Sequence, residues 1–321
     1  MFFFNIFGKI LGYLLWFFFG FFGNYTVSIF FVILAVTILM IPFAINRQKA
    51  VPLQARLFEK QSELKKKCGK DYKKYNEELA KLYEKEKFSP ASGCLPMLLP
   101  VLIFSGVTFA ISRPLENVLL IKPAIVDQVV KSCFSVPNDV SSEETLKPII
   151  KAPPQRGYEQ LQVVKFFPEI KEDLTMVSVA ESDRISSYRS GFDLLGLNLL
   201  DIPKQSSFAS MLWIIPALSI LCSMLSLYFM QKTNVQQQPQ QKGLMRVIMF
   251  LPNLIFGYMT FTLPAAVGIY WIINSIINTA QVLLLTKIYN KFTINAREEA
   301  ATIALLESRE MSGLEFENNG E

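Results

Sequence analysis

The chain has 321 residues, of which 51% are hydrophobic, 13% aromatic and only 18% charged, and its net charge is +5. A soluble protein of this size carries about 25% charged residues, and several stretches here are long enough, and almost free of charge, to cross a hydrocarbon core of about 30 Å as helices. This composition excludes a soluble globular enzyme, a disordered chain and a disulfide scaffold. It also excludes an outer-membrane barrel, because barrel strands alternate polar and apolar residues whereas these runs are continuous.

The residue types that usually carry catalysis or bind metals are missing or scattered. The chain has no histidine, so an imidazole acid, base or metal ligand is excluded. Its four cysteines lie far apart and form no CxxC pair: Cys68, Cys94, Cys133 and Cys222. We therefore predict no catalytic residue, no metal site and no cofactor.

The N-terminal run is apolar but interrupted. Its interruptions recur three to four positions apart and share one helical face: Asn5, Lys9, Gly12 and Tyr13. This pattern predicts that residues 1–23 form an amphipathic helix that lies in the membrane interface. A signal peptide is disfavoured, since the positive n-region and the small-residue cleavage site are absent.

Five further runs are predicted to be membrane-spanning helices. With their flanks they cover 24–45, 94–111, 208–229, 247–263 and 265–286. Pro264 lies between the last two spans, and a connection this tight joins only neighbouring helices. The predicted fold class is thus an all-α membrane protein with a five-helix core.

The loop charges predict the orientation. Segment 46–93 holds 13 Lys and Arg against 7 Asp and Glu, 112–207 holds 11 against 13, and 230–246 carries three basic residues and no acid. Positive loops stay in the cytoplasm. We therefore expect 46–93, 230–246 and the 287–321 tail inside, and both 112–207 and the N-terminus outside.

The cytoplasmic segment 46–93 is predicted to be a helical hairpin. Pro52 suits a first helical turn and Gly69 a helix end. Its apolar seam is thin and its surface basic, which indicates either a docking arm for a client or partner, or a spacer held by anionic lipid headgroups. The residues expected to act in recruitment are Arg56, Lys60, Lys65, Lys66, Lys67, Lys73 and Lys74.

The region predicted outside, 112–207, has no clear architecture in its sequence. Val163–Phe167 and Met176–Val179 are read as short strands, and residues 191–197 are expected to lead back to the membrane surface. Cys133 is either a free thiol or an intermolecular one.

Three motifs together resemble the YidC/Oxa/Alb family of membrane-protein insertases. Residues 89–98 read SPASGCLPML, after Tyr83. Asn24 and Tyr25 open a span that ends at Pro42 and is followed by a charged hairpin. Residues 264–281 carry the pattern of the family's last span: Pro264, Ala265, Ala266, Tyr270, Trp271, Asn274 and Gln281.

The resemblance implies a bacterial plasma-membrane insertase that inserts and folds client proteins. Its five-helix core would enclose a polar groove, open to the cytoplasm and lipid and closed outside. The implied partners are nascent membrane proteins, the Sec translocon, the ribosome through cytoplasmic loops, and anionic lipids, but not DNA. The groove residues would be Thr37, Ser105, Thr108, Ser219, Ser223, Trp271, Asn274 and Gln281.

Two further sequence features bear on the implied groove: a motif before the second span and a missing arginine in the first. The loop-to-helix motif, expected to shape the entry into the second span, consists of Gly93, Cys94, Leu95 and Pro96. The family's first span usually carries an arginine five residues before its proline, where this chain has Thr37. The groove would therefore be polar but not cationic.

Two other functions stay open from the residues alone. A solute or ion transporter is disfavoured because the chain shows no inverted repeat and no acidic residue inside a span. A structural scaffold for other membrane complexes is the third interpretation.

Overall fold

The structure is a computed structural model that describes residues 2–69, 71–85, 102–103, 105–134, 149–150, 156–207, 210–233 and 257–288, and the single residues 251, 255 and 303. The described chain is predominantly helical, which confirms the coarse fold class. It divides into two compact units. The first comprises 1–38, 89–227 and 242–278, and the second comprises 39–88, 228–241 and 279–321.

Helix α1 (Phe2–Phe22) and helix α2 (Tyr25–Leu39) are joined by a short turn at Gly23, whose φ is +60°. The Asn24 side chain accepts a hydrogen bond from the Val27 N–H at 3.1 Å and so caps α2. The ring of Phe31 stacks on Phe22 at 4.7 Å between centroids, which holds the two helices together next to the turn.

Helix α2 ends at Leu39, six residues before the predicted end of the first span. A new helix, α3 (Ile41–Cys68), begins directly after Met40 with a proline in its first turn. Pro42 lacks the N–H that would continue the helical ladder and its ring crowds the preceding turn, so the first apolar helix is shorter than expected.

In the second unit, α3 is followed by α4 (Tyr72–Lys85). Gly69 ends α3 with a φ of +59°, a left-handed conformation that glycine adopts without steric cost. The Gln61 amide donates to the Tyr83 hydroxyl at 3.0 Å. The two helices therefore contact each other through polar side chains.

Two helices of the described chain are long and apolar enough to cross a membrane: Met211–Met230, which includes most of α9 (Ile214–Thr233), and α10 (Ala265–Ile288). Two further apolar helices are shorter, Ile6–Phe22 and Tyr25–Leu39. Segments 105–112 and 257–262 are also helical. The other residues of the predicted second and fourth spans, 94–101, 104, 247–250, 252–254 and 256, lie outside the described part of the chain.

The region predicted outside is largely helical. It contains α5 (Pro114–Asn117), α6 (Pro123–Phe134), α7 (Glu159–Ile170), α8 (Val179–Ser190) and a small antiparallel hairpin of β1 (Asp193–Leu194) and β2 (Leu197–Asn198). Single 3₁₀ turns follow at Pro203–Gln205 and Met211–Trp213. The predicted strands are wrong, because 163–167 lies inside α7 and 176–178 precedes α8 without forming a strand.

Helices α6, α7 and α8 share one apolar core with the hairpin. Cys133 lies inside this core as a free cysteine with no exposed surface, and burial raises the pKa of its thiol to about 11. The complete burial of Cys133 favours the free thiol over the intermolecular one. A neutral, inaccessible thiol is unreactive.

A capping box begins α8. Ser178 accepts a hydrogen bond from the Glu181 N–H, and the Glu181 carboxylate accepts one from the Ser178 N–H at 3.0 Å. These hydrogen bonds from the side chain and backbone of Ser178 lower the pKa of Glu181. The box satisfies backbone donors that a helix start otherwise leaves without partners.

Candidate functional site

The first and last sequence motifs meet at one end of the apolar helices. Tyr25, the first residue of α2, has no exposed surface, and its hydroxyl donates to the carbonyl of Ala266 at 3.2 Å. Ala266 belongs to the first turn of α10, 241 residues away in the chain. This bond joins the starts of two apolar helices, which is the end predicted to face outside.

Residues of the 112–207 region supply the backbone acceptors at the same place. The N–H groups of Ala265 and Ala266 donate to the carbonyls of Asp201 and Leu199 at 2.9 and 2.8 Å. The Tyr25 N–H donates to the carbonyl of Gly191 at 2.8 Å. These N–H groups lie at helix starts and have no partner inside their own helices, so the region caps both helices.

An aromatic cluster fills the space between these caps. The Tyr25 ring stacks on Phe192 at 4.4 Å between centroids, and Tyr188 packs edge-on against Phe192 and Phe19, each at 5.0 Å. Gly191 allows this approach, because a Cβ there would lie 2.4 Å from the Phe19 ring. We call these four rings the outer cluster. They close this end of the helices with buried apolar surface.

Helices α9 and α10 pack through small residues. A Cβ at Gly268 would lie 2.6 Å from the side chain of Ile215, and two turns further along, the hydroxyl oxygens of Ser223 and Ser275 lie 3.5 Å apart. Ser219, one turn before Ser223, is buried. Small residues at membrane helix contacts let backbones approach closely, so Ser223 contributes to this packing.

The remaining predicted groove residues of the first unit are half-buried. They are Thr37 on α2, Ser105 and Thr108 on segment 105–112, and Trp271 and Asn274 on α10. The Asn278 amide donates to the side-chain oxygen of Asn274 at 2.8 Å and to its backbone carbonyl at 2.9 Å. This pairing reduces the cost of holding two carboxamides in an apolar helix.

Gln281, the eighth predicted groove residue, belongs to the second unit. Its amide nitrogen is buried without a hydrogen-bond partner. Nearby in the same unit, the Gln48 amide of α3 lies 3.5 Å from the Thr286 hydroxyl of α10. The beginning of α3 thus contacts the end of α10.

The predicted recruitment lysines form an exposed basic surface on α3 and α4. Lys60, Lys65, Lys66, Lys67, Lys73 and Lys74 are all exposed. Lys81 pairs with Glu78 at 2.8 Å, and this contact raises the pKa of Lys81 and lowers that of Glu78. A fully exposed ion pair of this kind adds little to stability.

Some predicted residues lie outside the described part of the chain. These are the loop-to-helix residues Gly93, Cys94, Leu95 and Pro96, the side chain of Arg56, and most of segments 230–246 and 287–321.

Sequence reasoning missed two polar partners on α10. Ser275 and Asn278 contact the predicted residues Ser223 and Asn274. Both could have been found, because Ser275 is adjacent to Asn274 and Asn278 lies one helical turn beyond it. The role of Leu199 and Asp201 as backbone caps had no such signal, since any residue type supplies a carbonyl.

A comparison with protein families shows to which family the chain belongs. The family model described as 60Kd inner membrane protein matches residues 17–292, which is most of the chain. The chain belongs to this family. The match includes α2 to α10, and the family description agrees with the two helices long enough to cross a membrane.

The relatives have one name in common. Membrane protein insertase YidC of Caldanaerobacter subterraneus is 43% identical over 93 residues, which is 29% of this chain and 45% of that protein. The protein of the same name from Nitratidesulfovibrio vulgaris is 33% identical over 113 residues, or 35% of this chain and 21% of the relative. Membrane protein insertase YidC 2 of Listeria innocua is 24% identical over 300 residues, covering 92% of this chain and 75% of that protein.

These alignments confirm the resemblance found in the motifs, and the family is not one of catalytic enzymes. The chain spans less than half the length of the first two relatives. No solved structure matches it.

Proposed function

We propose that this protein is an insertase that moves transmembrane segments of client proteins into the bacterial plasma membrane through a polar groove. The observation that carries the proposal is the combination of half-buried hydroxyl and amide side chains on α2, segment 105–112 and α10 with a hydrogen-bonded closure at one end of these helices. The names of the relatives support the same activity.

The physical reason lies in the cost of moving a polar tail through hydrocarbon. Transfer of an amide without a hydrogen-bond partner costs several kcal/mol. Polar side chains within membrane helices face the protein interior or a hydrated cavity. Thr37, Ser105, Thr108, Trp271 and Asn274 would line such a cavity. A client's apolar segment leaves sideways into lipid while its tail crosses.

The partners follow from the proposed topology. The basic surface of α3 and α4 would face the cytoplasm, where it meets nascent clients, the ribosome and anionic lipid headgroups. The Sec translocon would be a second route by which clients arrive. The N-terminus would lie outside and the C-terminus in the cytoplasm.

The direct test is photo-crosslinking during translation. A photoreactive amino acid at Thr37 is expected to crosslink to a ribosome-bound client with one transmembrane segment. The matched control is Ile38, the next residue of α2, which is 56% exposed and lies about 100° further around the helix. Equal crosslinking at both positions, or none at Thr37 together with solute uptake by proteoliposomes, would contradict the insertase and favour the transporter.

Replacing Thr37 with arginine is expected to create a preference for clients with acidic tails. A charge in a low-dielectric site attracts an opposite charge far more strongly than in water, but an arginine at a helix centre costs about 2.5–3.5 kcal/mol. The wild type, with a neutral hydroxyl, should insert neutral and acidic tails at similar rates. The measurement is reconstituted insertion of one client with paired tails.

Thr37→Gln controls for side-chain size without charge and should behave like the wild type. A strong preference of the wild type for the acidic tail would mean that another cation attracts the client, and the neutral groove would be wrong.

Neutralising the hairpin lysines is expected to reduce insertion several-fold without unfolding the protein. Exposed surface substitutions usually change stability by less than about 0.5 kcal/mol, whereas client, RNA and lipid attraction depends on the positive charge. The variant carries five changes to glutamine, at Lys65, Lys66, Lys67, Lys73 and Lys74. Insertion and thermal unfolding are measured on the same preparation.

The control variant removes exposed lysines from the 112–207 region instead, at Lys122, Lys131 and Lys171, and should insert normally. Deletion of residues 55–86 provides a second test. If the deleted protein aggregates on purification, the hairpin is structural and the recruitment role is refuted.

A further inference from the structure

The turn between β1 and β2 exposes a leucine in an unfavourable conformation. Leu195 has a φ of +52° and is 96% exposed, and Gly196 follows it with a φ of +81°. Two-residue hairpin turns of this kind favour asparagine or aspartate before the glycine. A leucine here strains the backbone, and its side chain gains no burial within the described protein in return.

Both ends of this hairpin are fixed to the starts of the apolar helices. Phe192, just before β1, stacks on Tyr25 of α2, and Leu199, just after β2, accepts a hydrogen bond from the Ala266 N–H of α10. Leu195 is three residues from Phe192, which at about 3.3 Å per residue keeps it within about 10 Å of Phe192 and so near the helix starts. The headgroup layer on each side of a bilayer is about 5–8 Å thick, so Leu195 lies close to that layer.

The surface beside the β1–β2 hairpin also exposes an apolar side chain. Gly191 contacts the Gly23 turn, since a Cβ at Gly191 would lie 2.8 Å from the Gly23 carbonyl oxygen. Two residues before that turn, Phe21 of α1 is 72% exposed. Phenylalanine on the apolar face of an interfacial helix is buried at the boundary between headgroups and acyl chains. The β1–β2 hairpin therefore lies near an exposed apolar side chain of the kind that contacts lipid.

We propose that Leu195 inserts into the bilayer at this end of the spans, the outer leaflet in the predicted topology, and anchors the 112–207 region on the membrane surface. The partner is lipid because a single aliphatic tip is far smaller than a protein interface, which buries about 800 Å² on each side. Insertion buries the Leu195 side chain, and this burial offsets the cost of its strained backbone. The anchor depends on the membrane position of α9 and α10 and not on insertase activity.

The test places an environment-sensitive fluorescent amino acid at position 195 of the full chain in proteoliposomes of phosphatidylethanolamine and phosphatidylglycerol. We expect blue-shifted emission and strong quenching by lipids brominated near the headgroup. The control label at Glu172, an exposed position in the same region, should emit as in water and resist quenching. Water-like emission at 195 would overturn the proposal, and so would a blue shift without quenching, which indicates a protein neighbour.

A second variant separates anchoring from folding. Leu195→Asn suits the left-handed turn and should leave thermal unfolding in detergent unchanged or improved. In proteoliposomes it should increase proteolysis of the 112–207 region several-fold. A lower unfolding temperature in detergent, or unchanged proteolysis in liposomes, would contradict the anchor. Neither readout uses client insertion, so failure of the insertase proposal leaves this test intact.

Discussion

Gly12→Ala is expected to destabilise the protein by about 1–3 kcal/mol, the range for overpacking a tight contact. A Cβ at Gly12 would lie 2.3 Å from the backbone oxygen of Asn117 and 2.7 Å from its carbonyl carbon. Backbone atoms cannot rotate away as a side chain can, so α1 must move off α5. This cost exceeds the helix-propensity gain from alanine, which is at most about 1 kcal/mol.

The same helix offers a matched control. Gly20 has no atom within 4 Å of its Cβ position, so Gly20→Ala should be neutral or stabilising by up to about 1 kcal/mol. Thermal unfolding of both variants in nanodiscs measures the difference. If the Gly12 variant is as stable as the Gly20 variant, α1 does not pack against α5 as described.

This contact also refines the predicted interfacial helix. Gly12 was grouped with Lys9 and Tyr13 on one face by spacing, but the structure places Gly12 against Asn117 while Lys9 and Tyr13 are exposed. Spacing identifies residues that share a face and does not say which face packs on protein. A glycine leaves this undecided, because it serves equally as a helix interruption and as a site of close approach.

The 112–207 region shows how burial overrides residue preference. The β-branched and aromatic residues of 163–167 favour a strand, yet buried positions in α7 recur every three to four residues, as in a helix: Leu161, Val164, Phe167 and Ile170. That spacing is readable in the sequence over a longer window. The five residues 163–167 cover little more than one helical turn of 3.6 residues, so the repeat is not recognisable within them alone.

The apolar helices and the family motifs were predictable, because continuous hydrophobic runs and short motifs of fixed spacing are local signals. The contacts that close one end of the helices were not. Tyr25 and Ala266 are 241 residues apart, and the caps of Leu199 and Asp201 use backbone carbonyls that carry no residue signature. The motifs identified the segments that contain Tyr25 and Ala266. The contact between these segments is visible only in the folded structure.

Tyr25→Ala is expected to cost about 3–5 kcal/mol, the range for removing a buried aromatic side chain. It leaves a cavity between α2, α8 and α10, because the outer cluster loses the ring that stacks on Phe192. Tyr25→Phe keeps the ring and removes only the hydrogen bond to the Ala266 carbonyl, which should cost about 1 kcal/mol. Thermal unfolding measures both variants against Tyr13→Ala, which removes a 54% exposed tyrosine of α1.

The two Tyr25 variants also separate stability from closure. If the outer cluster seals the groove, proteoliposomes with Tyr25→Ala should leak small ions at temperatures well below unfolding, while those with Tyr25→Phe and Tyr13→Ala should stay tight. The reason is that the alanine cavity lies between the caps of α2 and α10, where water can enter once the ring is gone, whereas the phenylalanine ring still excludes it. Leakage from all three variants would reflect general disorder. No leakage from Tyr25→Ala, despite lower stability, would show that the hydrogen-bonded caps of Gly191, Leu199 and Asp201 seal this end without the aromatic ring.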